Sequence, residues 1–183
     1  MTLKVLIFGS YGYSGNLIVE HILSQKKEFG SALELVLSGR NQKLLTAQID
    51  RLEQEHHLRL EGRPFSIEEG DAGGDEAKQS AWMTDINVVL NCAGPFSQTA
   101  EFVVQACLKA RVHYVDITGE IPVFQLLNEQ YGAAASAANI MLLPGAGFDV
   151  VPTDCMALHL KQKHPNASHL RLAFGSNEPM SGI

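Results

Sequence analysis

Apolar positions in this chain keep two alternating rhythms, short continuous runs and longer stretches at helical spacing, and each run is followed by a stretch. Residues 3–8 are apolar and rich in β-branched side chains, the pattern of a strand buried on both faces. From Ser14 onward Leu17, Ile18, Ile22 and Phe29 recur at roughly helical spacing with no proline between them. Residues 33–37 make a second strand, and 42–58 a surface helix whose stripe is Leu44, Leu45, Ile49 and Leu52. Residues 64–71 alternate like a strand entering a turn, and 75–83 suit a short helix in which Trp82 packs. Strands at 86–90, 112–116 and 139–144 then alternate with helices at 99–110, 123–138 and a last one reaching residue 160. The pattern predicts an α/β fold, a Rossmann-type doubly wound parallel sheet of about six strands.

A further alternating run at 168–175 comes too late for that sheet and reads as the opening of another domain. The expected division is a nucleotide-binding domain over 1–155, followed by a connecting helix and a first strand over 156–183.

Composition narrows the function. With 183 residues, 45% hydrophobic and 19% charged, the chain has enough apolar surface for one real core. A formal charge of −6 and the lack of any long basic run argue against nucleic acid and anionic membranes as partners. No apolar run approaches the roughly 20 residues of a membrane span, and no secretory leader precedes the first strand, so a cytoplasmic location is expected. The cysteines, Cys92, Cys107 and Cys155, have no C-x-x-C or Cys/His spacing; they read as reduced thiols, and no metal site is expected. His56 and His57 have no ligand-spaced companions and receive no role.

The chemistry gathers where strands end. Gly9, Ser10, Tyr11, Gly12, Tyr13, Ser14 and Gly15 lie between the first strand and the first helix. One glycine would turn the chain, one would admit a pyrophosphate to the backbone, and one would pack helix against strand, with the helix N-terminus facing the anion. The spacing is G-x-x-G-x-x-G rather than G-x-G-x-x-G, so the flanking strand and helix carry the assignment, and a merely tight turn is the competing reading. At the second strand's end Ser38, Arg40 and Asn41 stand where an acidic residue would take the ribose of NAD. An arginine there suits the 2′-phosphate, so NADP is preferred over NAD, unless Arg40 is simply solvated. Asp71 would cap its loop beside the adenine or only serve the turn. Ala93, Gly94 and Pro95, beyond the fourth strand, offer small residues against which ribose and nicotinamide lie. Asp116, Thr118 and Glu120 follow the fifth strand; they orient substrate or carboxamide, or Thr118 caps the next helix. Phe148 and Asp149, with Asp154 nearby, make a third cluster in which plain structural roles weigh slightly more. His113, inside a strand, reads as a satisfied core or edge histidine. No catalytic residue is assigned.

The stretches GSYGYSG, SGRN, NCAGPF, HYVDITGE and PGAGFDVVPTD, spread over residues 3–154, resemble the saccharopine dehydrogenase-like family, especially the branch of saccharopine dehydrogenase-like oxidoreductases and trans-acting enoyl reductases. The resemblance implies an NAD(P)-binding Rossmann domain, a second α/β domain for substrate and dimerisation, and hydride transfer on a small molecule between them. It also implies that this chain is an N-terminal fragment, inactive alone, whose homodimer would form through the second domain. A short-chain dehydrogenase shares similar glycine spacing, but the Tyr-x-x-x-Lys pair is missing: Tyr114 is followed at that interval by Thr118, and Tyr131 by Ala135. A noncatalytic NADP-responsive interaction module is the other alternative. The substrate is not readable.

Overall fold

The computed structural model describes residues 2–25, 32–65 and 81–173. Asp71, Phe29 and most of the helix expected at 75–83 lie outside them. Six strands form one all-parallel sheet in the order β3-β2-β1-β4-β5-β6. They are β1 (Leu3–Phe8), β2 (Leu33–Gly39), β3 (Glu61–Pro64), β4 (Val88–Asn91), β5 (His113–Asp116) and β6 (Leu142–Leu143). The helices are α1 (Tyr13–Ser24), α2 (Gln42–His56), α3 (Phe96–Ala110), α4 (Ile121–Leu126), α5 (Gly132–Ala138) and α6 (Val151–Lys163). This is the doubly wound arrangement expected, with the order reversing between β1 and β4.

The continuous apolar run of β1 is explained by the two cores. Leu6 and Phe8 point into one with Val36, Val89, Tyr114 and the apolar faces of α3 to α5. Ile7 points into the other with Val19, Leu37, Leu45 and Leu52, beneath α1 and α2. Trp82 is buried in the first core, stacked on Phe65 at 4.3 Å and edge-on to Phe8 at 5.3 Å.

Some elements differ from expectation. A strand that the periodicity did not mark lies at Glu61–Pro64 and contains no large apolar residue; of the run expected at 64–71, residues 66–71 lie outside the described residues. β3 holds the sheet edge by other means. Ile49 of α2 covers Gly62 so closely that a Cβ there would come within 2.4 Å of its Cδ1. Arg63 reaches Glu61 at 2.6 Å and Asp85 at 2.8 Å, while Lys4 reaches both carboxylates at 2.8 and 2.9 Å.

The sixth strand is a pair of residues; just before it the Met141 N–H donates to His113 Nδ1 at 2.9 Å, while the Met141 carbonyl accepts from the Tyr114 N–H at 2.9 Å. His113 is thus the satisfied edge histidine of the sequence reading. The helix expected at 123–138 is broken by a π turn, Leu127–Tyr131. Tyr131, the last residue of that turn, donates its hydroxyl to Glu101 and accepts from Gln105, both on α3.

Past β6, α6 runs beyond residue 160 and has no buried residue. Residues 168–173 form no strand and lie exposed; 174 and 175 are outside the described residues. Among the described residues no helix is long and apolar enough to cross a membrane.

Candidate functional site

The turn after β1 is held from both sides. Gly9, at φ +81°, and Ser10 both donate their N–H groups to the Ser38 carbonyl, at 2.8 and 3.1 Å, which ties the turn to β2. A Cβ on Gly9 would meet Ala93 at 2.9 Å, so the β1 and β4 turns touch. A Cβ on Gly15 would stand 2.2 Å from the Gly9 carbonyl oxygen; α1 sits this close to the strand end only because that position is glycine. Gly12 is the N-cap of α1 and brings no side chain over the helix start. Among the described residues the N–H groups of Tyr13, Ser14 and Gly15 have no acceptor, as expected for the first turn of a helix without a cap.

The start of α3 faces the same sheet edge but is already occupied. Phe96 and Ser97 donate their N–H groups to the Glu120 carboxylate at 2.7 and 2.9 Å. Burial pulls the Glu120 pKa upward, yet its hydrogen bonds from Ser97 and Phe96 together outweigh this and hold the carboxyl below its ordinary value. At α3 the first amides are thus taken within the protein, whereas at α1 those of Tyr13, Ser14 and Gly15 have no acceptor among the described residues and lie at the positive end of the helix dipole.

At the end of β2, the Tyr11 ring covers Gly39, and its hydroxyl accepts from the Asn41 N–H at 2.8 Å. The Asn41 side chain accepts from the Leu44 N–H and caps α2. Arg40 is exposed and has no side-chain partner among the described residues. Beside it an open groove runs along Asn41, Gln42, Lys43 and Thr46. Lys43 adds a second cation that the sequence reading passed over as helix surface.

Ser10 and Ser38 belong to the site's framework rather than to its surface. Ser10 is fully buried and its hydroxyl donates to Gln48 Oε1 at 2.8 Å. The Ser38 hydroxyl, also buried, donates to the Arg63 carbonyl at 2.6 Å and accepts from Trp82 Nε1 at 2.9 Å. Neither hydroxyl is turned toward a ligand, because inward partners from other elements claim both.

The β4 and β5 ends are similarly knitted together. Asn91 is buried, receives the Ala93 N–H, and donates toward Thr99 and Tyr114. The Thr99 hydroxyl donates to the Ala93 carbonyl at 2.7 Å. Gly94 and Pro95, joined by a cis peptide, lead directly into α3. Asp116 is fully buried and accepts from the Thr118 and Gly145 N–H groups and from the Tyr114 hydroxyl at 2.9, 2.8 and 2.7 Å. Burial, reinforced by the Asp116 charge, pushes the Tyr114 phenol far up. Thr118 is buried, its hydroxyl accepting the N–H of Glu120, which is itself the N-cap of α4 and has no side-chain cap; Thr118 therefore stabilises the turn that enters the helix without capping it. Phe148 is 79% exposed, and Asp149 lies beside Gly119. Burial, then the Asp116 charge, pushes the Cys92 thiol up to about 12, which removes it as a nucleophile at neutral pH. Among the described residues no group of His, Cys, Asp and Glu is placed to hold a metal.

Gln48 is the main residue that sequence reasoning missed. It lies on the inward stripe of α2 between Leu45 and Leu52, and a polar residue at an apolar register position was the available signal.

An all-parallel sheet whose order reverses beside a glycine turn and an open helix start defines a Rossmann-type nucleotide-binding domain. A 2-keto-3-deoxy-D-gluconate dehydrogenase from Streptococcus agalactiae shares the fold at a TM-score of 0.56 and 15% identity, over 84% of this chain and 71% of that one. The family is narrower than the fold. Residues 5–142 match the saccharopine dehydrogenase NADP binding domain, and the chain belongs to that family. It is similar to the human saccharopine dehydrogenase-like oxidoreductase, with 27% identity over 87% of this chain. It is also similar to the trans-acting enoyl reductase of Mycobacterium ulcerans, with 25% identity over 87% of this chain. The chain spans 37% and 36% of the lengths of these two relatives.

Proposed function

We propose that this chain is the NADP(H)-binding part of an oxidoreductase that transfers hydride to or from a small molecule, the substrate being held by a further domain like those of its longer relatives. The observation that carries the reading is the pairing, at one sheet edge, of the open α1 start with Arg40, which is exposed and without a side-chain partner among the described residues. The amides of Tyr13, Ser14 and Gly15 would take the pyrophosphate, Gly12 leaving it room. Arg40, with Lys43 beside it, would take the 2′-phosphate, the guanidinium fork offering several donors to one phosphate. Tyr11 would border the adenosine, and Ala93, Gly94 and Pro95 would form a low wall for the nicotinamide riboside. The bound nicotinamide supplies the hydride chemistry; the protein binds it and fixes its orientation.

Calorimetric titration tests this directly. The unmodified chain is expected to bind NADPH more tightly than NADH, and Arg40→Ala to lower NADPH affinity about ten-fold or more while leaving NADH nearly unchanged, the scale of one lost charged hydrogen bond. Equal losses for both nucleotides would rule out Arg40 as the discriminator.

A noncatalytic, NADP-responsive interaction module is supported by a different observation: the side chains of Asp116, Thr118 and Glu120 are already taken up within the protein. A partner retained on the immobilised chain only with NADPH would favour that reading.

A further inference from the structure

We infer that Gln48 is a positioning residue for the phosphate turn, and that it sets dinucleotide affinity without touching the nucleotide. The inference rests on the reading of the turn after β1 as the pyrophosphate site.

The Gln48 carboxamide holds Ser10 twice. Oε1 accepts from the Ser10 hydroxyl at 2.8 Å, and Nε2 donates to the Ser10 carbonyl at 2.7 Å. Nε2 also donates to Asn16 Oδ1 at 3.0 Å, in the first turns of α1. One buried amide thereby grips the turn where it leaves β1 and again where it has become helix. Asn16 is fixed in its own right. Arg51, one helical turn beyond Gln48 on α2, donates to Asn16 Oδ1 at 2.9 Å and pairs with Glu20 at 2.9 Å, while Asn16 Nδ2 donates to Glu20 at 3.0 Å.

The orientation of the Ser10 peptide and the start of α1 are thus both referenced to α2, the helix that also follows Arg40. Amides that bind an anion are effective when their direction is fixed before the ligand arrives, because the ordering cost is then already met. The three bonds share one buried amide and support one another, so their removal frees the turn as a unit. A glutamine used only to fill the core would show a different pattern: its loss would lower stability and leave the affinity of the folded protein alone.

The test uses Gln48→Leu in the full chain, with three readouts: thermal unfolding, hydrogen exchange at the amides of residues 11–14, and calorimetric affinity for NADPH and for adenosine 2′-phosphate, which lacks the pyrophosphate. The folded variant is expected to bind NADPH about ten-fold or more weakly, the scale of one buried hydrogen bond. Its binding of adenosine 2′-phosphate should be unchanged, and its turn amides should exchange faster. Unchanged NADPH affinity overturns the inference, as does an equal loss for both probes, which would mean general damage to the fold. If the unmodified chain fails to bind NADPH at all, the underlying site reading falls and the inference with it, an outcome separate from either variant result. Should Gln48→Leu not fold, Gln48→Asn gives the same readouts from a milder lesion; it keeps the amide but withdraws it from Ser10 by one methylene.

Discussion

Gly15 shows how tightly single residues govern the turn after β1. Its missing Cβ leaves space for the Gly9 carbonyl, which a methyl group would approach to 2.2 Å, and the obstacle is backbone that cannot rotate aside. Gly15→Ala is therefore expected to push α1 off the strand end, with a stability loss of about 1–3 kcal/mol by urea or thermal unfolding. NADPH affinity should fall with it, because the displaced helix start is the proposed phosphate site. At this scale the sequence was informative about backbone and poor on side chains. The flanking strand and helix located the glycine turn, although the neighbour that leaves no room for a Cβ at Gly9 is Ala93, in the turn after β4. The inward turn of Ser10 and Ser38 could not be read, since their partners Gln48, Arg63 and Trp82 stand 38, 25 and 44 residues away. Glu120 is similar: nothing local shows that its carboxylate sits on a helix start 24 residues back in the chain.

Among the elements, β3 depends most on charge. Glu61 and Asp85 have pKa values lowered first by hydrogen bonds from Arg63 and next by those from Lys4. A carboxylate whose pKa is lower in the folded chain than in the unfolded one binds fewer protons when folded. Its stabilisation is complete above the unfolded value near 4 and disappears as pH falls through the folded value. Asp85→Asn should therefore lower the melting temperature at pH 7, and the gap to the unmodified chain should close as pH drops below about 4. A gap that persists at acid pH would point to packing instead. The polar make-up of β3 also explains why periodicity did not mark it: a strand held by ion pairs and by a helix over Gly62 carries no apolar alternation. The π turn left no mark in the sequence either, because the feature it serves, the reach of Tyr131 to α3, is tertiary. The strongly apolar strands β1, β2, β4 and β5, and the helices with a clear stripe, were readable to within a few residues.

In the molecule as a whole, site and brace lie at opposite ends of the strands. Lys4 stands near the start of β1 and Gly9 just past its end, so charge changes at the brace should leave nucleotide affinity untouched. The two cores on either side of the sheet make β1 to β5 one cooperative body. The last helix, α6, does not share in it, for all its apolar Val151, Met156, Leu158 and Leu160 stay exposed.

That exposure gives the chain two melting processes instead of one. An isolated helix of 13 residues is marginal in water, whatever the stability of the domain to which it is attached. The single tryptophan, Trp82, reports the aromatic core alone, whereas far-ultraviolet circular dichroism also counts the turns of α6. On heating, the dichroism signal should begin to fall well before tryptophan emission shifts. Superimposed curves would mean that α6 unfolds with the core after all.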